Sequence, residues 1–360
     1  MTVVDAPSAA SAEDRQALRE AVAGFLAEHC TEPEVRRVMA TPDGYDTGVW
    51  SRLADLGLQG LAITSEHGGS GSTFEEVGVV LEELGRVLYP GPFLATTLAA
   101  LALADGPEAL QADYLPRIAS GGLIATVAVE QPVAGAVPAP QVTAADAALT
   151  GVVPYVLDGH IAELLLVAAA DGVYAVEAGK GVTTDLLETT DQTRRLARVT
   201  LSGAPARRVG GPDLTARIAN LAATGLALSQ VGGAEAALHS SLGYARVRTQ
   251  FGRPIGSFQA IKHICADMFL AIESGKAAAR RAALEIATDG PEQEVLASIA
   301  KAWSSDTYAS AAAANVQVHG GIGYTWEHSA HLHLRRAKSD ELLFGDSRHH
   351  RAHLADVLGV

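Results

Sequence analysis

The stretch that decides the fold is Arg248-Thr-Gln-Phe-Gly-Arg-Pro-Ile-Gly-Ser-Phe-Gln259. It joins two long Ala/Leu-rich segments with helical periodicity, 214–247 and 258–287. Gly252-Arg-Pro254 interrupts this periodicity, because proline lacks a backbone donor and restricts the residue before it. The sequence therefore predicts two helices that meet at a corner.

Three side chains at this corner suit an anionic ligand. Arg248 offers a guanidinium, Phe251 an aromatic face and Gln259 an amide. Such a set fits a nucleotide-like ligand, with the guanidinium on a pyrophosphate and the ring against a base. Taken by itself, the stretch still favours the simpler interpretation of a helical-hairpin turn with an arginine in solvent.

The composition indicates a helix-dominated chain of two or three domains. It has 360 residues, of which 48% are hydrophobic and only 5% aromatic. This length allows a substantial core, and Ala- and Leu-rich segments favour helices. The formal net charge of -14 argues against nucleic acid as a partner.

The cysteines and the hydropathy pattern indicate the cellular compartment. Cys30 and Cys265 lie far apart and indicate neither a disulfide framework nor a metal site, so a reduced, cytoplasmic compartment is expected. The N-terminal residues lack a basic stretch followed by an apolar core, and no signal peptide is expected. No run of about 18 apolar residues occurs, which predicts no membrane span.

The periodicity changes twice along the chain and predicts a mainly α protein with a β insert. An N-terminal helical domain is expected over 1–120, a middle β domain over 121–212 and a C-terminal bundle of four long antiparallel helices over 213–360. The helical patterns of the first domain cover 11–30, 45–56, 74–86, 93–104 and 108–119. Strands are predicted at 123–130, 141–149, 152–157, 163–169, 172–177 and 194–201.

Local signals refine the first domain. Ser11 and Asp14 resemble a helix start signal. The glycine-rich loop from Gly60 to Gly71 contains neither a GxGxxG fingerprint nor a Walker sequence, so we interpret it as structural. The acidic residues of the helix 74–86 are expected to form a solvated or packing face.

Two motifs together resemble the acyl-CoA dehydrogenase family. One is Arg248-x-x-Phe-Gly-x-x-x-x-x-Phe-Gln259, and the other is Gln317-Val-His-Gly-Gly-Ile-Gly323. The resemblance extends from about Leu53 to the C-terminus. That family comprises flavoenzymes that desaturate acyl-CoA thioesters. It implies a fold with an N-terminal helical domain, a small middle β-barrel or sandwich and a C-terminal four-helix bundle.

The resemblance implies FAD as cofactor and an acyl-CoA as substrate. The matching contacts are Arg248, Phe251 and Gln259 for the ADP half of FAD, with Gln317, Gly320 and Gly321 as a second group. Glycine in the second group lets the backbone approach the pyrophosphate. In that family these residues reach the FAD of the neighbouring subunit, so a second chain, unlike or identical, is an expected partner. An electron-transferring flavoprotein is implied as electron acceptor.

The family's general base is missing from its usual places. A carboxylate must remove the α-proton of the thioester, and the position that usually holds it is Phe344. The site used by other members falls near Ala222. Asp346 is a weak candidate for a displaced base, although a helix cap is the favoured interpretation. Glu327 aligns with a family glutamate that is usually structural.

The site for the flavin ring also departs from the family pattern. Glu130-Gln-Pro-Val-Ala-Gly-Ala136 lacks the hydroxyl of the family's Thr-Glu-Pro-Gly-x-Gly-Ser-like loop. The strand that places a hydroxyl near flavin N5 aligns with Tyr155-Val-Leu157, and leucine cannot donate a hydrogen bond. His349 and His353 have an i,i+4 spacing that metal sites use, but no third ligand accompanies them, so no metal is expected.

Three hypotheses remain open at this point. The chain resembles the shorter, base-lacking subunits of bacterial heteromeric acyl-CoA dehydrogenases, which lend FAD contacts to a base-bearing partner. It could instead be a self-sufficient homo-oligomeric dehydrogenase that uses Asp346 or another displaced acid. The third hypothesis is a protein on this fold that binds an acyl thioester or flavin without redox chemistry. Fold resemblance alone does not decide among them.

Overall fold

Helices fill the described part of the N-terminal third. The computed structural model describes residues 10–132 and 141–360. The helices of this part are α1 (Ala12–His29), α2 (Glu32–Met39), α3 (Thr47–Asp55), α4 (Phe74–Arg86), α5 (Phe93–Ala104) and α6 (Glu108–Ala119). The predicted start signal is confirmed, since Ser11 Oγ accepts from the Asp14 N–H at 3.1 Å and Asp14 accepts from the Ser11 N–H at 3.0 Å. Helix α2 was not predicted, because eight residues carry little periodicity.

The middle region forms two sheets. Its strands are β1 (Ala125–Ala128), β2 (Val142–Ala145), β3 (Ala148–Leu157), β4 (Leu164–Ala169), β5 (Gly172–Glu177), β6 (Val182–Leu186), β7 (Leu196–Pro205) and β8 (Arg207–Gly210). Within the described residues the strand orders are β1-β4-β5-β8 and β2-β3-β7-β6. Apolar side chains from both sheets, among them Leu149, Leu165 and Val199, share one core. The middle domain was expected to be a barrel or a sandwich. The barrel is wrong, because the described sheets do not close on themselves.

The predicted strand 141–149 is also wrong. Asp146 and Ala147 form a two-residue turn between β2 and β3, with φ 51° and 55°. Left-handed backbone at both positions is the geometry of a tight hairpin, but neither residue is glycine. The usual composition signal for such a turn is therefore absent. The predicted strand 152–157 is the second part of β3. Strands β6 and β8 had not been predicted.

The C-terminal region contains long and short helices. They are α7 (Pro212–Val247), α8 (Gln259–Ala287), α9 (Gln293–His319), α10 (Ala330–Leu342) and α11 (Ser347–Leu358). Over residues 212–358, all of which the structure describes, three helices rather than the predicted four are long. The turns at 320–329 and 343–346 divide the remaining segment. No described helix is long and apolar enough to span a membrane.

The acidic face of α4 packs against neighbouring helices. Glu82 and Glu83 are only 1% and 5% exposed. Arg19 of α1 donates to Glu82 at 2.7 Å and also pairs with Glu83. Arg280 of α8 donates to Glu82 through two nitrogens, at 2.8 and 2.7 Å. Burial alone would raise the pKa of Glu82, but the hydrogen bonds and charges of Arg280 and Arg19 lower it.

Glycines let α7 cross α4 at close range. A Cβ atom at Gly232 would lie 1.9 Å from the carbonyl oxygen of Glu82, and one at Gly85 would lie 2.0 Å from that of Ser229. Only a residue without Cβ permits this approach. The crossing fixes the course of α7, whose C-terminal end leads to Arg248.

Buried ion pairs attach the β region to α10. Arg194 donates to Asp340 at 2.7 Å, and Arg336 donates to Asp191 at 2.9 Å. All four side chains are at most 9% exposed. Removing one partner of such a pair leaves a buried charge uncompensated, at a cost of about 3–5 kcal/mol. These pairs therefore fix α10 and the turn that follows it.

Candidate cofactor-contact site

The corner between α7 and α8 is a tight hairpin. The two-residue strands β9 (Thr249–Gln250) and β10 (Arg253–Pro254) pair across it. Phe251 and Gly252 form its turn, with φ 53° and 77°. Left-handed backbone costs Phe251 about 1 kcal/mol, because its Cβ crowds the next carbonyl. The Phe251 ring is 90% exposed, so the strained turn holds an aromatic face in solvent.

Arg248 is fixed through its backbone and open at its side chain. Its N–H donates to the Tyr244 carbonyl at 2.8 Å, and its carbonyl accepts from the Ile255 N–H at 2.8 Å. Its guanidinium is exposed and forms no ion pair with any residue that the structure describes. The same holds for Arg246 and Arg253 of this corner. Arg253 is not without a contact, because its guanidinium lies over the Phe258 ring, 4.2 Å from the ring centroid. Arg248 therefore presents a cation that no described carboxylate neutralises, in a chain whose formal net charge is -14.

The second predicted group lies at the C-terminal end of α9. Gln317 is exposed in the last turn of the helix, and Gly320 ends it with φ 65° and ψ -143°. Gly321 continues into a 3-10 turn, Gly320–Tyr324. Apart from the adjacent residues of the chain, no described atom lies within 4 Å of a Cβ placed on Gly320 or Gly321. The backbone there is therefore open to a ligand, and φ at Gly320 disfavours any other residue.

Ring contacts bring the two groups to the same end of the helical region. Tyr244 lies one helical turn before Arg248, and its ring centroid is 4.3 Å from that of His319, the residue before Gly320. The hairpin packs on α7, since a Cβ at Gly256 would lie 2.9 Å from the Ala245 carbonyl oxygen. The predicted contacts therefore lie where α7 and α9 end and α8 begins.

The donor set at this end fits the ADP half of FAD. Arg248 supplies an unpaired guanidinium for a pyrophosphate, and Phe251 supplies an exposed ring for an adenine. Gln259 and Gln317 present exposed amides. The open glycine backbone admits close approach of a phosphate.

The usual position of the family's base is a buried turn without a proton acceptor. Phe344 is 8% exposed, has φ 58° and packs in the main hydrophobic core. Its N–H donates to Gln131 Oε1 at 2.7 Å, and its carbonyl accepts from His350 Nε2 at 3.0 Å. The carbonyl of Gly345 accepts from Lys301 Nζ at 2.7 Å. Three side chains thus hold this left-handed turn in place.

Lys301 and His350 were not found by sequence reasoning. Lys301 is fully buried and also donates to the last carbonyls of α10, those of Asp340 and Glu341, at 3.1 and 3.3 Å. Burial lowers the pKa of Lys301 to about 8. Burial, with the nearby charge of Lys301, lowers the pKa of His350 to about 3. The one available signal was that Lys301 is the single lysine between Lys276 and Lys338.

The other positions considered for the base are a helix cap, a buried alanine and an exposed glutamate. Asp346 caps α11, where its Oδ1 accepts from the His349 N–H at 2.8 Å. Burial raises the pKa of Asp346, but this hydrogen bond and Arg348 lower it overall. A carboxylate with a lowered pKa is a weak base. Ala222 is buried within α7, and Glu327 is exposed in the bend before α10.

The β-region motifs present apolar or already bonded groups. Leu157 is 2% exposed, and its carbonyl accepts from the Thr126 hydroxyl at 2.6 Å. Glu130 accepts from the Gln141 N–H at 3.2 Å, while Gln131 is used by the Phe344 turn. Residues 133–136 of the glycine-containing loop lie outside the described residues.

Two further sequence features have structural explanations. The glycine-rich loop uses its amides internally, since Ser70 donates to Gly60 at 3.0 Å and Gly71 donates to Ile63 at 2.8 Å. The structural interpretation of this loop is confirmed. The second feature is the histidine pair of α11, in which His353 Nε2 lies 2.7 Å from Glu294 Oε1. Over 10–132 and 141–360, no group of three or more His, Cys, Asp or Glu residues is arranged to hold a metal ion.

Comparison with known proteins identifies the family. The acyl-CoA dehydrogenase N-terminal domain matches residues 12–122, and the acyl-CoA dehydrogenase C-terminal domain matches residues 210–359. The acyl-CoA dehydrogenase IpdE2 of Mycobacterium tuberculosis is 36% identical over 337 residues, which cover 93% of this chain and 94% of the relative. The chain therefore belongs to the acyl-CoA dehydrogenase family, whose members are FAD-dependent oxidoreductases.

Solved structures agree with this assignment. The ChsE4-ChsE5 complex from Mycobacterium tuberculosis contains a chain with a TM-score of 0.91 and 30% identity, covering 97% of this chain and 98% of that one. The Tcur3481-Tcur3483 steroid ACAD gives a TM-score of 0.91 at 31% identity, covering 96% of this chain and 98% of that one. The acyl-CoA dehydrogenase fold expected from the sequence is therefore confirmed, apart from the open sheets.

Proposed function

We propose that this chain is the supporting subunit of a heteromeric acyl-CoA dehydrogenase. The observation that carries the proposal is the contrast between two sites. At the bundle end, Arg248 and the Gly320–Gly321 turn are open and unpaired. At the usual base position, Phe344 is buried and bonded through its backbone. A chain built in this way can lend cofactor contacts but cannot itself abstract the α-proton.

This contrast assigns the cofactor contacts to this chain and the catalytic base to its partner. Arg248 offsets the pyrophosphate charge, Phe251 covers the adenine, and the glycine turn admits the phosphates. When bound, FAD accepts the hydride that leaves the β-carbon of the acyl group. The partner chain supplies the carboxylate that removes the α-proton. The similarity to the ChsE4-ChsE5 complex, which consists of unlike chains by name, supports a mixed assembly.

The other two hypotheses draw less support from these residues. A self-sufficient dehydrogenase would need Asp346 as base, yet Asp346 is engaged as a helix cap with a lowered pKa. A protein that binds only an acyl thioester would have no need for the strained, exposed Phe251 beside an unpaired arginine. A non-redox flavin binder shares that need and is separated from the supporting subunit by whether the mixed assembly desaturates an acyl-CoA. The strain is accounted for when a cofactor covers the ring.

The substrate of the assembly belongs to the acyl-CoA thioesters. The likeness to the Tcur3481-Tcur3483 steroid ACAD favours a polycyclic acyl group, held mainly by the partner that carries the base. An electron-transferring flavoprotein as electron acceptor and a cytoplasmic location are parts of the same proposal.

The test compares two arginines of the same corner. We expect Arg248→Ala to weaken FAD binding by the assembly about 10- to 100-fold, because a charge-assisted bond contributes about 1.5–3 kcal/mol. Arg246 is also exposed and unpaired within the described chain, but lies two residues earlier and so on another side of α7. Arg246→Ala is therefore the matched control and should retain near-normal affinity. Equal FAD affinity of wild type and Arg248→Ala, measured by equilibrium dialysis, would contradict the proposed role.

A further inference from the structure

We propose that His319 is the positioning residue of the FAD-contact site. It fixes the position of Arg248 relative to the Gly320–Gly321 turn through its ring contacts and its hydrogen bond. This inference rests on the proposed function and gives a role to a residue that the second motif contains but that was assigned none.

The first observation is a three-ring stack. The His319 ring contacts both Tyr244 of α7 and His328 of the segment after the 3-10 turn, with centroid distances of 4.3 and 4.2 Å and the rings tilted by 31° and 43°. His319 is 5% exposed, while Tyr244 and His328 are half-buried. One ring thus contacts the helix that ends at Arg248 and the segment that closes the glycine turn.

The second observation is the hydrogen bonding that fixes the ring. His319 Nδ1 donates to the Asn315 carbonyl at 2.8 Å, which sets its tautomer and orientation. The side chain of Asn315 accepts from the Ser241 hydroxyl at 2.9 Å, and both residues are 0% exposed. Ser241 belongs to α7 and Asn315 to α9. A fully buried polar bridge therefore joins the two helices one turn below the stack.

The third observation is the crowding beneath the turn. A Cβ at Gly323 would lie 3.2 Å from the His319 Cβ and 2.9 Å from the Val316 carbonyl oxygen. The turn consequently rests directly on His319. His328 is held at the other end of the loop, because its Nδ1 accepts from the Ala330 N–H at 3.1 Å. These contacts leave Gly320 and Gly321 open only on their outer side.

These contacts fix the distance between the Arg248 guanidinium and the backbone of the glycine turn. Residues i and i+4 lie on the same face of a helix, so Arg248 continues the face on which Tyr244 meets His319. Gly320 follows His319 directly in the chain. A shift of the His319 ring therefore moves the guanidinium and the glycine backbone relative to each other. A pyrophosphate that bridges them loses affinity when that distance changes.

The experiment uses FAD affinity and hydrogen–deuterium exchange in the full chain and its assembly. We expect His319→Leu, which removes the stack and the hydrogen bond, to weaken FAD binding about tenfold and to increase exchange of 320–328. His319→Phe keeps a ring in the stack and should restore most of the affinity. His239→Leu, at an exposed position of α7, serves as the control and should change neither quantity.

A double variant separates positioning from a merely structural role. If His319 acts through Arg248, adding His319→Leu to Arg248→Ala should weaken FAD binding by much less than it does in the wild type. Additive losses, or unchanged FAD affinity of folded His319→Leu, would overturn the inference. If Arg248→Ala itself leaves FAD affinity unchanged, the proposed function fails instead. Exchange of 320–328 in the chain without FAD still tests the stack in that case.

Discussion

The close crossing of α4 and α7 predicts that the same substitution, glycine to alanine, changes the free energy of unfolding in opposite directions at two positions of α7. At Gly232 an added methyl group would lie 1.9 Å from the Glu82 carbonyl oxygen, whereas at Gly243 nothing lies within 4 Å. Neither glycine has a positive φ. Gly232→Ala and Gly243→Ala therefore make the same chemical change in two different environments.

The magnitudes follow from these distances. A methyl at Gly232 must move about 1.5 Å from the carbonyl to reach ordinary contact, so the two helices separate. We place the cost at the upper end of the roughly 1–3 kcal/mol typical of overpacking. The separation also strains the buried pairs of Glu82 with Arg19 and Arg280. We expect a loss of about 3 kcal/mol in the free energy of unfolding. Gly243→Ala should instead gain about 0.5–1 kcal/mol from helix propensity.

The assay is urea unfolding followed by far-ultraviolet circular dichroism, with the midpoints of both variants compared with wild type. A Gly232→Ala protein within about 1 kcal/mol of wild type would refute the close crossing, because so small a loss is incompatible with a backbone contact at this distance. A destabilised Gly243→Ala protein would refute the statement that its site is open.

Two further predictions concern the base and the response to acid. Asp346→Asn should leave the activity of the assembly within about twofold, because asparagine also caps helices, whereas a loss of 100-fold or more would make Asp346 the base. His350 is held neutral by burial, with a folded pKa of about 3 against an ordinary value of 6.5. Its stabilising contribution is complete above pH 6.5 and is lost as the pH falls. His350→Gln should therefore remove about 1.4 kcal/mol per pH unit from the acid slope of stability below about pH 6, and an unchanged slope would contradict the buried neutral imidazole. Burial also raises the pKa of Asp158 to about 7, which gives the stability a pH slope of opposite sign. Because wild type and His350→Gln both contain Asp158, the difference between their slopes reports His350 alone.

Local sequence signals predicted the elements that depend on local chemistry. The Ser11–Asp14 capping box, the strand over 172–177 and the helix over 74–86 all appear where the sequence places them. Each rests on a short-range rule of capping or periodicity. The corner at 248–259 was likewise predictable, because proline and glycine interrupt two long helical patterns.

Long-range partners decided the features that sequence reasoning missed. Whether Glu82 is solvated or buried depends on Arg19 and Arg280, which lie 63 and 198 residues away. The Asp146–Ala147 turn lacked glycine, so its left-handed backbone left no compositional trace. No spacing rule connects residues that only tertiary packing brings together.

The same distinction applies to the candidate site. The six proposed cofactor contacts were predicted from two motifs that resemble those of the acyl-CoA dehydrogenase family. His319 and Lys301 act by holding backbone and rings in place, and their roles depend on what surrounds them. A histidine before two glycines, or a single lysine in an alanine-rich helix, is an ambiguous signal without its partners.

Flavin content and oligomeric mass of the purified chain test its role as a supporting subunit most directly. Both are measured for the chain alone and after co-expression with an acyl-CoA dehydrogenase-like chain that carries the base. We expect a flavin-free protein when the chain is purified alone and FAD only in the mixed complex, since the chain offers contacts for the ADP half but an apolar, buried base position. One FAD per chain in the protein purified alone would contradict the supporting-subunit role.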